Sequence, residues 1–147
     1  MDRIGGLFSF SGRTDRVSYW RIQVLVALIA GAGWVVGMLA VVYSGITAFG
    51  LVALLSIAPM AVVQVATAFR RLHDRGKSAW WLLAFYVGPL ATDAYVQDPS
   101  ASSHIPAPAL ALAALLALAL LLWGFVEIGF LRGASGPNRF GPAPARA

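Results

Sequence analysis

The residues most capable of chemistry lie in one short polar stretch, residues 70–81, between two long apolar runs. It contains four cations, one acid and one histidine and ends on two tryptophans, in the order Arg-Arg-Leu-His-Asp-Arg-Gly-Lys-Ser-Ala-Trp-Trp. If the preceding helix continues through Asp74, then Arg70, His73 and Asp74 share a face, and we expect Arg70 to pair with Asp74. Arginine also binds phosphate through parallel hydrogen bonds. The stretch is therefore either a capped turn between helices or a site for an anionic headgroup or small anion.

Two other polar segments contain residues of the same kind. Arg13 and Arg16 precede the first apolar run, and Asn138 and Arg139 lie in a tail rich in glycine and proline. A disordered tail has little need of an aromatic residue, yet Phe140 follows Arg139, so we expect the tail to fold back under the helices. The candidate anion-binding or ion-pair cluster comprises Arg13, Arg16, Arg70, Arg71, His73, Asp74, Glu127, Asn138 and Arg139.

Glu127 lies within an apolar run, where an unpaired carboxylate is costly. We expect an arginine partner, with Arg70 or Arg71 the best placed. Two interpretations stay open: an ion pair that locks the helices together, or a pocket that includes Gln23 and Gln64.

Patterns typical of enzymes are absent from the sequence. There is no Ser/His/Asp set, HExxH, P-loop or dinucleotide-binding motif, and no cysteine. His104 has no neighbour at ligand spacing, so we expect no metal site. We predict neither an enzyme nor a cofactor.

The elements that must position these residues are four apolar runs, 19–43, 46–69, 79–91 and 107–131. Hydrophobic residues make up 59% of the 147-residue chain and charged residues 12%, a balance typical of membrane proteins. Three runs exceed the ~20 residues that a helix needs to cross a bilayer. The third is shorter and either crosses in a tilted form or re-enters. We predict an all-α integral membrane protein with four transmembrane helices in two hairpins, the third span short.

The distribution of charge predicts the topology. With four spans, all 11 Lys and Arg residues fall on one side, and the positive-inside rule then places both termini in the cytoplasm. The prediction is one four-span domain, 1–147, with an interfacial cytoplasmic arm at 1–18, a cytoplasmic loop at 70–78, an outer loop at 93–107 and a cytoplasmic tail at 132–147.

Aromatic and small residues supply further predictions. Tyr19, Trp20, Trp80 and Trp81 are expected as interfacial anchors. Small residues four apart predict close helix packing; these are Gly33, Gly37, Ala109, Ala113 and Ala117.

The three polar segments together resemble the bacterial inner-membrane family known as domain of unknown function 805. The resemblance rests on Phe10-Ser11-Gly12-Arg13 with Arg16 and Tyr19-Trp20, on Arg70 to Asp74 with Gly76, Ser78 and Trp80-Trp81, and on Gly136 to Pro142. Arg75, Ala79 and the long outer loop depart from the family pattern. The resemblance implies a multi-pass protein of the bacterial inner membrane and no particular reaction.

The leading hypothesis for the function is a membrane protein whose cytoplasmic cluster binds anionic lipid or a small anion. The alternatives are an oligomeric channel or transporter subunit, and a structural or assembly partner of another membrane protein. The expected partners are membrane lipids, anionic ones included, and a second copy or another membrane protein. Nucleic acid is not expected, because the cations lie at the ends of apolar runs.

Overall fold

A computed structural model describes residues 5–144, and this part of the chain is helical apart from turns and an isolated bridge between Asn138 and Gly141. Arg3 and Arg146, two of the cations in the topology argument, lie outside the described residues. A 3-10 turn, Gly5–Phe8, precedes the first long helix. The α-helices are α1 (Arg16–Ser44), α2 (Ala48–Asp74), α3 (Gly88–Gln97), α4 (Pro99–Ser102) and α5 (Ala107–Gly129).

The first two helices form the predicted hairpin. Asp15 caps α1 by accepting hydrogen bonds from the Val17 and Ser18 amides. Gly45 ends α1 in the left-handed region, with φ 69°, a conformation that glycine adopts without steric cost. The two helices pack along each other, and α2 continues through Asp74 as the sequence predicts.

Three helices, α1, α2 and α5, are long and apolar enough to cross a membrane by length and composition. The third predicted span has a different form. A π-helical turn, Leu83–Val87, runs directly into α3, and the pair covers residues 83–97. Residues 81 and 82 before it are also helical, so the whole helical segment covers 81–97. At 1.5 Å per residue it is at most about 26 Å long, less than a ~30 Å hydrocarbon core. It packs along α5 as the second hairpin.

The predicted outer loop is shorter than expected. Residues 93–97 belong to α3, and Pro99–Ser102 forms the short helix α4. Pro99 occupies the first position of its helix, where a missing amide N–H removes no hydrogen bond. Pro99 therefore begins a helix here.

The two hairpins meet at one end of the molecule, which we call the charged end: residues 5–21, 70–81 and 124–144. A cluster of buried apolar side chains lies in and next to the charged end, made of Tyr19, Ala68, Leu72, Leu82, Phe85 and Ile128. Gly124 permits this approach, because a Cβ at this position would lie 2.6 Å from Phe85 Cβ. Leu72, Phe85 and Ile128 have no solvent exposure, so the core holds α2, the third segment and α5 together.

Gly37 allows α1 to approach α2 closely, as predicted from its spacing. A Cβ at this position would overlap Ala53 of α2. We expect Gly37→Val to lower the free energy of unfolding by about 1–3 kcal/mol, the usual cost of overpacking. Denaturation followed by circular dichroism in micelles measures it. Gly31→Val is the matched control, since a Cβ at Gly31 meets nothing within 4 Å; an equal loss in both variants would contradict the packing role of Gly37.

Candidate functional site

The centre of the charged end is the carboxylate of Asp74, at the last turn of α2. Arg13 donates to its Oδ1 from Nε at 3.1 Å and from Nη2 at 3.0 Å, while Arg71 donates to Oδ2 from Nη1. The side chains of Arg13, Asp74 and Arg71 are 1%, 4% and 0% exposed. A carboxylate buried this deeply needs such partners, because desolvation otherwise disfavours its charge. Asp74 is thus bound by two arginines from different segments.

Arg71 extends this network to the end of α5. Its Nε donates to the carbonyl of Ile128 at 2.9 Å, and its Nη2 donates to the carbonyl of Leu131. The last carbonyls of a helix lack partners within the helix. One guanidinium group therefore satisfies carbonyls at the end of α5 and joins them to Asp74 of α2.

Arg13 joins the tail to the same network. It donates to the carbonyls of Gly136 at 2.7 Å and Ala134 at 2.6 Å. The Ala134 amide in turn donates to the carbonyl of Asp74 at 2.9 Å. Gly133 lies so close to Asp74 that a Cβ would overlap the carboxylate. The prediction that the tail folds back is confirmed.

His73 and Asn138 complete the contact between α2 and the tail. The His73 ring stacks on Phe140 with 3.9 Å between ring centroids, and its Nδ1 lies 3.2 Å from the carbonyl of Gly12. Asn138 donates to the carbonyl of His73 at 2.9 Å. The Arg139 guanidinium carbon lies over the Phe140 ring, 4.7 Å from its centroid. These residues pack the tail against the helix.

Glu127 forms a second network, with partners that differ from those predicted. Arg75 Nε lies 3.0 Å from its Oε1 and Lys77 Nζ lies 3.2 Å from its Oε2. The expected partners, Arg70 and Arg71, are engaged elsewhere. Gly76, with φ 73°, turns the chain at the end of α2 and so brings Lys77 back toward α5. Lys77 also lies 4.9 Å from the ring centroid of Trp81.

Arg70 does not pair with Asp74, contrary to the sequence-based expectation. It donates to the carbonyls of Gly6 at 2.8 Å and Leu7 at 3.4 Å, while Arg71 and Arg13 hold the acid. Arg70 thus anchors the 3-10 turn of the N-terminal segment on α2.

The predicted interfacial anchors divide into two groups. Tyr19, expected as an interfacial anchor, is 7% exposed and packs in the core. Trp20 donates from its indole to the carbonyl of Gly129 at 2.8 Å and packs against α5. Trp80 is 77% exposed, in keeping with an anchor, and Trp81 packs against Phe85.

These contacts leave little capacity for an external anion in the predicted cluster. Arg13 and Arg71 direct their donors to Asp74 and to backbone carbonyls. Both are almost fully buried. Their geometry is that of a structural network.

The exposed cations lie beside two concavities. A cavity of about 500 Å³ is lined by Arg16 and Arg132 together with Ser135 and two acidic residues, Asp15 and Asp74. A groove of about 560 Å³ is bordered by Arg16 and Arg21 and continues along Val24, Leu25 and Leu28 of α1. Within residues 5–144, no carboxylate oxygen lies within 4.0 Å of a nitrogen of these three arginines.

Asp15, at the edge of this cavity, is already committed to capping α1. Burial raises the pKa of its carboxyl, but hydrogen bonds from Ser18 and Val17 outweigh burial and hold the pKa below its ordinary value. It is therefore ionised at neutral pH and fixes the start of α1, and with it the position of Arg16.

The cluster predicted from sequence omitted four cations that matter here. Arg75 and Lys77 bind Glu127, and Arg21 and Arg132 border the concavities. For Arg21 and Arg132 the only sequence signal was membership in the basic side of the topology, which all 11 Lys and Arg residues share, whereas Arg75 and Lys77 also lie in the polar stretch 70–81.

Comparison with known proteins places the chain in a family. No curated protein and no solved structure matches it. The family model described as "Protein of unknown function (DUF805)" matches residues 7–142, which include the N-terminal segment, the 70–81 stretch and the folded-back tail. The chain therefore belongs to the DUF805 family, the family that its three polar motifs resemble.

Proposed function

We propose that this is a four-span protein of the bacterial inner membrane, with both termini cytoplasmic, that binds an anionic phospholipid at its charged end. The phosphate lies between Arg16 and Arg132, and an acyl chain follows the groove along α1. The observation that carries the proposal is that Arg16 borders both the polar cavity and the apolar groove.

The charges support this ligand. Arginine forks suit phosphate oxygens, and the three arginines have no carboxylate partner within the described chain. Below them, Val24, Leu25 and Leu28 are 54%, 55% and 66% exposed. An anionic headgroup with an attached alkyl chain fits both the polar cavity and the apolar groove, whereas a free phosphate fits only the polar cavity.

The lack of cysteine makes the topology directly testable. Single cysteines are introduced at two exposed serines, Ser103 near the turn before α5 and Ser135 in the tail. With the proposed orientation, an impermeant maleimide labels Ser103→Cys in intact cells and labels Ser135→Cys only after permeabilisation. Labelling of both cysteine variants in intact cells would place Ser103 and Ser135 on the same side of the membrane and would contradict the four-span topology.

Lipid binding is tested with native mass spectrometry and with nanodiscs that contain phosphatidylglycerol or phosphatidylcholine. We expect Arg16→Gln and Arg132→Gln each to weaken phosphatidylglycerol binding by about tenfold or more, since each removes charge-assisted hydrogen bonds. Inorganic phosphate is the competing probe. Competition by phosphate at equal concentration would favour a free anion over a lipid.

Arg139→Gln is the matched control, because it removes the same charge from the charged end. The general attraction between one surface cation and an anionic membrane contributes about 1 kcal/mol to binding, which corresponds to about fivefold in affinity. Equal losses in all three variants would show that surface charge alone attracts the lipid and would overturn the site.

A further inference from the structure

The third segment exposes a carboxylate on its surface. Asp93 and Gln97 lie on one face of α3, where the Gln97 amide donates to Asp93 Oδ2 at 2.6 Å, and both side chains are exposed. Residues 79–131 include no lysine or arginine. Among the described residues, no cationic nitrogen lies within 4.0 Å of the Asp93 carboxylate. This acid therefore has a neutral donor beside it and no counterion within the described chain.

Contacts between the third segment and α5 give the level of Asp93 along the bundle. A Cβ at Gly124 of α5 would lie 2.6 Å from Phe85 Cβ, and Asp93 lies eight residues, or about 12 Å, beyond Phe85. Farther along, one cavity is lined by both Thr92 and Ala113. Asp93 thus lies about six to nine residues, or about 9–13 Å, short of the end of α5 opposite the charged end. We call this opposite end the outer end.

At the same level, α5 presents an apolar surface. Leu112, Leu115 and Leu116 are 58%, 64% and 58% exposed. Leucine side chains on a transmembrane helix are stable in hydrocarbon, whereas a carboxylate in hydrocarbon is costly. The same depth of the membrane must therefore offer lipid on the α5 side and water on the α3 side. A bilayer of uniform thickness cannot meet both requirements.

The length of the third segment indicates how both requirements are met. Its helical apolar part, residues 81–91, is about 17 Å long, and the whole helical segment is at most about 26 Å. A span shorter than the ~30 Å hydrocarbon core is accommodated by local thinning of the bilayer. The short apolar length and the exposed carboxylate, two independent features of the segment, require the same response of the lipid.

We infer that the outer leaflet is locally thinned beside the third segment, so that water and lipid headgroups reach Asp93 and Gln97. The indentation lies on one side of the protein, because α5 requires lipid at the same level. The inference rests on the membrane orientation proposed above and does not involve the phospholipid site at the charged end.

Cysteine labelling in intact cells tests the inference, since the native chain has no cysteine. Ala94→Cys, beside Asp93, and Ala114→Cys, at the same level on α5, are a matched pair, because both alanines are exposed. We expect an impermeant maleimide to label Ala94→Cys within about tenfold of the rate for Ser103→Cys. Ala114→Cys should react at least about a hundredfold more slowly, because the reactive thiolate is scarce in hydrocarbon.

The outcomes separate the inference from the orientation on which it rests. Labelling of Ser103→Cys without labelling of Ala94→Cys would overturn the thinning and leave the orientation intact. Absence of labelling at Ser103→Cys would overturn the orientation and the inference with it. Equal and rapid labelling of Ala94→Cys and Ala114→Cys would also overturn the inference, because α5 would then stand in water at this level.

The role of the carboxylate is tested in the Ala94→Cys background. Adding Asp93→Leu should lower the labelling rate by about tenfold or more, because an apolar side chain no longer draws water to this depth. Asp93→Glu keeps the charge and should retain the rate. An unchanged rate in the Asp93→Leu variant would overturn the role assigned to Asp93.

Discussion

Asp74→Asn is expected to lower the free energy of unfolding by about 3–5 kcal/mol, the cost of leaving a buried charge without its partner. The carboxylate accepts hydrogen bonds from Arg13 and Arg71, and all three side chains are almost fully buried. Asparagine keeps the shape but removes the negative charge, so two guanidinium groups face a neutral amide. Urea titration of the protein in micelles, followed by circular dichroism, measures the loss.

Asp93→Asn is the matched control, because Asp93 is exposed and accepts a hydrogen bond from Gln97 at 2.6 Å on the surface of α3. Surface substitutions of this kind change stability by about 0.5 kcal/mol or less. A loss below about 1 kcal/mol in Asp74→Asn would contradict the structural role. If phosphatidylglycerol binding were also lost while stability was retained, the Asp74 network would belong to the ligand site instead.

The long helices could be predicted because apolar length alone determines them. The runs 19–43, 46–69 and 107–131 correspond to α1, α2 and α5. The folded-back tail was also predictable, since Phe140 within a polar, glycine-rich segment indicated a packing role. These features depend on local composition, which a sequence displays directly.

The partners of the buried acids could not be predicted, since they depend on how each helix is rotated about its axis. Glu127 faces Arg75 and Lys77 because the chain turns back at Gly76. A continuing helix would have pointed Lys77 away. Asp74 likewise binds Arg71, three residues before it, and Arg13 from another segment in place of Arg70.

The connector before α5 illustrates a different difficulty. The sequence predicts a loop over residues 93–107, yet Pro99 begins α4, and Pro108 lies in the first turn of α5. A proline is unfavourable inside a helix and favourable at its first position. Which of the two applies depends on where the helix begins, and the short third segment gave no strong signal for that boundary.

Arg71→Lys is expected to lower the free energy of unfolding by about 2–3 kcal/mol although it keeps the positive charge. A lysine ammonium at this position can approach Asp74, but it lacks the planar fork that also reaches the carbonyls of Ile128 and Leu131. The buried carbonyl of Ile128 and the partly buried carbonyl of Leu131 then lose their donor, at roughly 1–1.5 kcal/mol each. Urea titration measures this loss, and hydrogen exchange locates it.

The Ala134 amide is the informative site for exchange, because it donates to the carbonyl of Asp74 beside the network. We expect its protection to fall in Arg71→Lys and to persist in Arg139→Lys, whose side chain lies over Phe140 on the surface. Unchanged protection and stability in Arg71→Lys would mean that charge alone joins α2 to α5. Loss of both would show that the geometry of one guanidinium group holds the helices and the tail together, because the charge is the same in either variant.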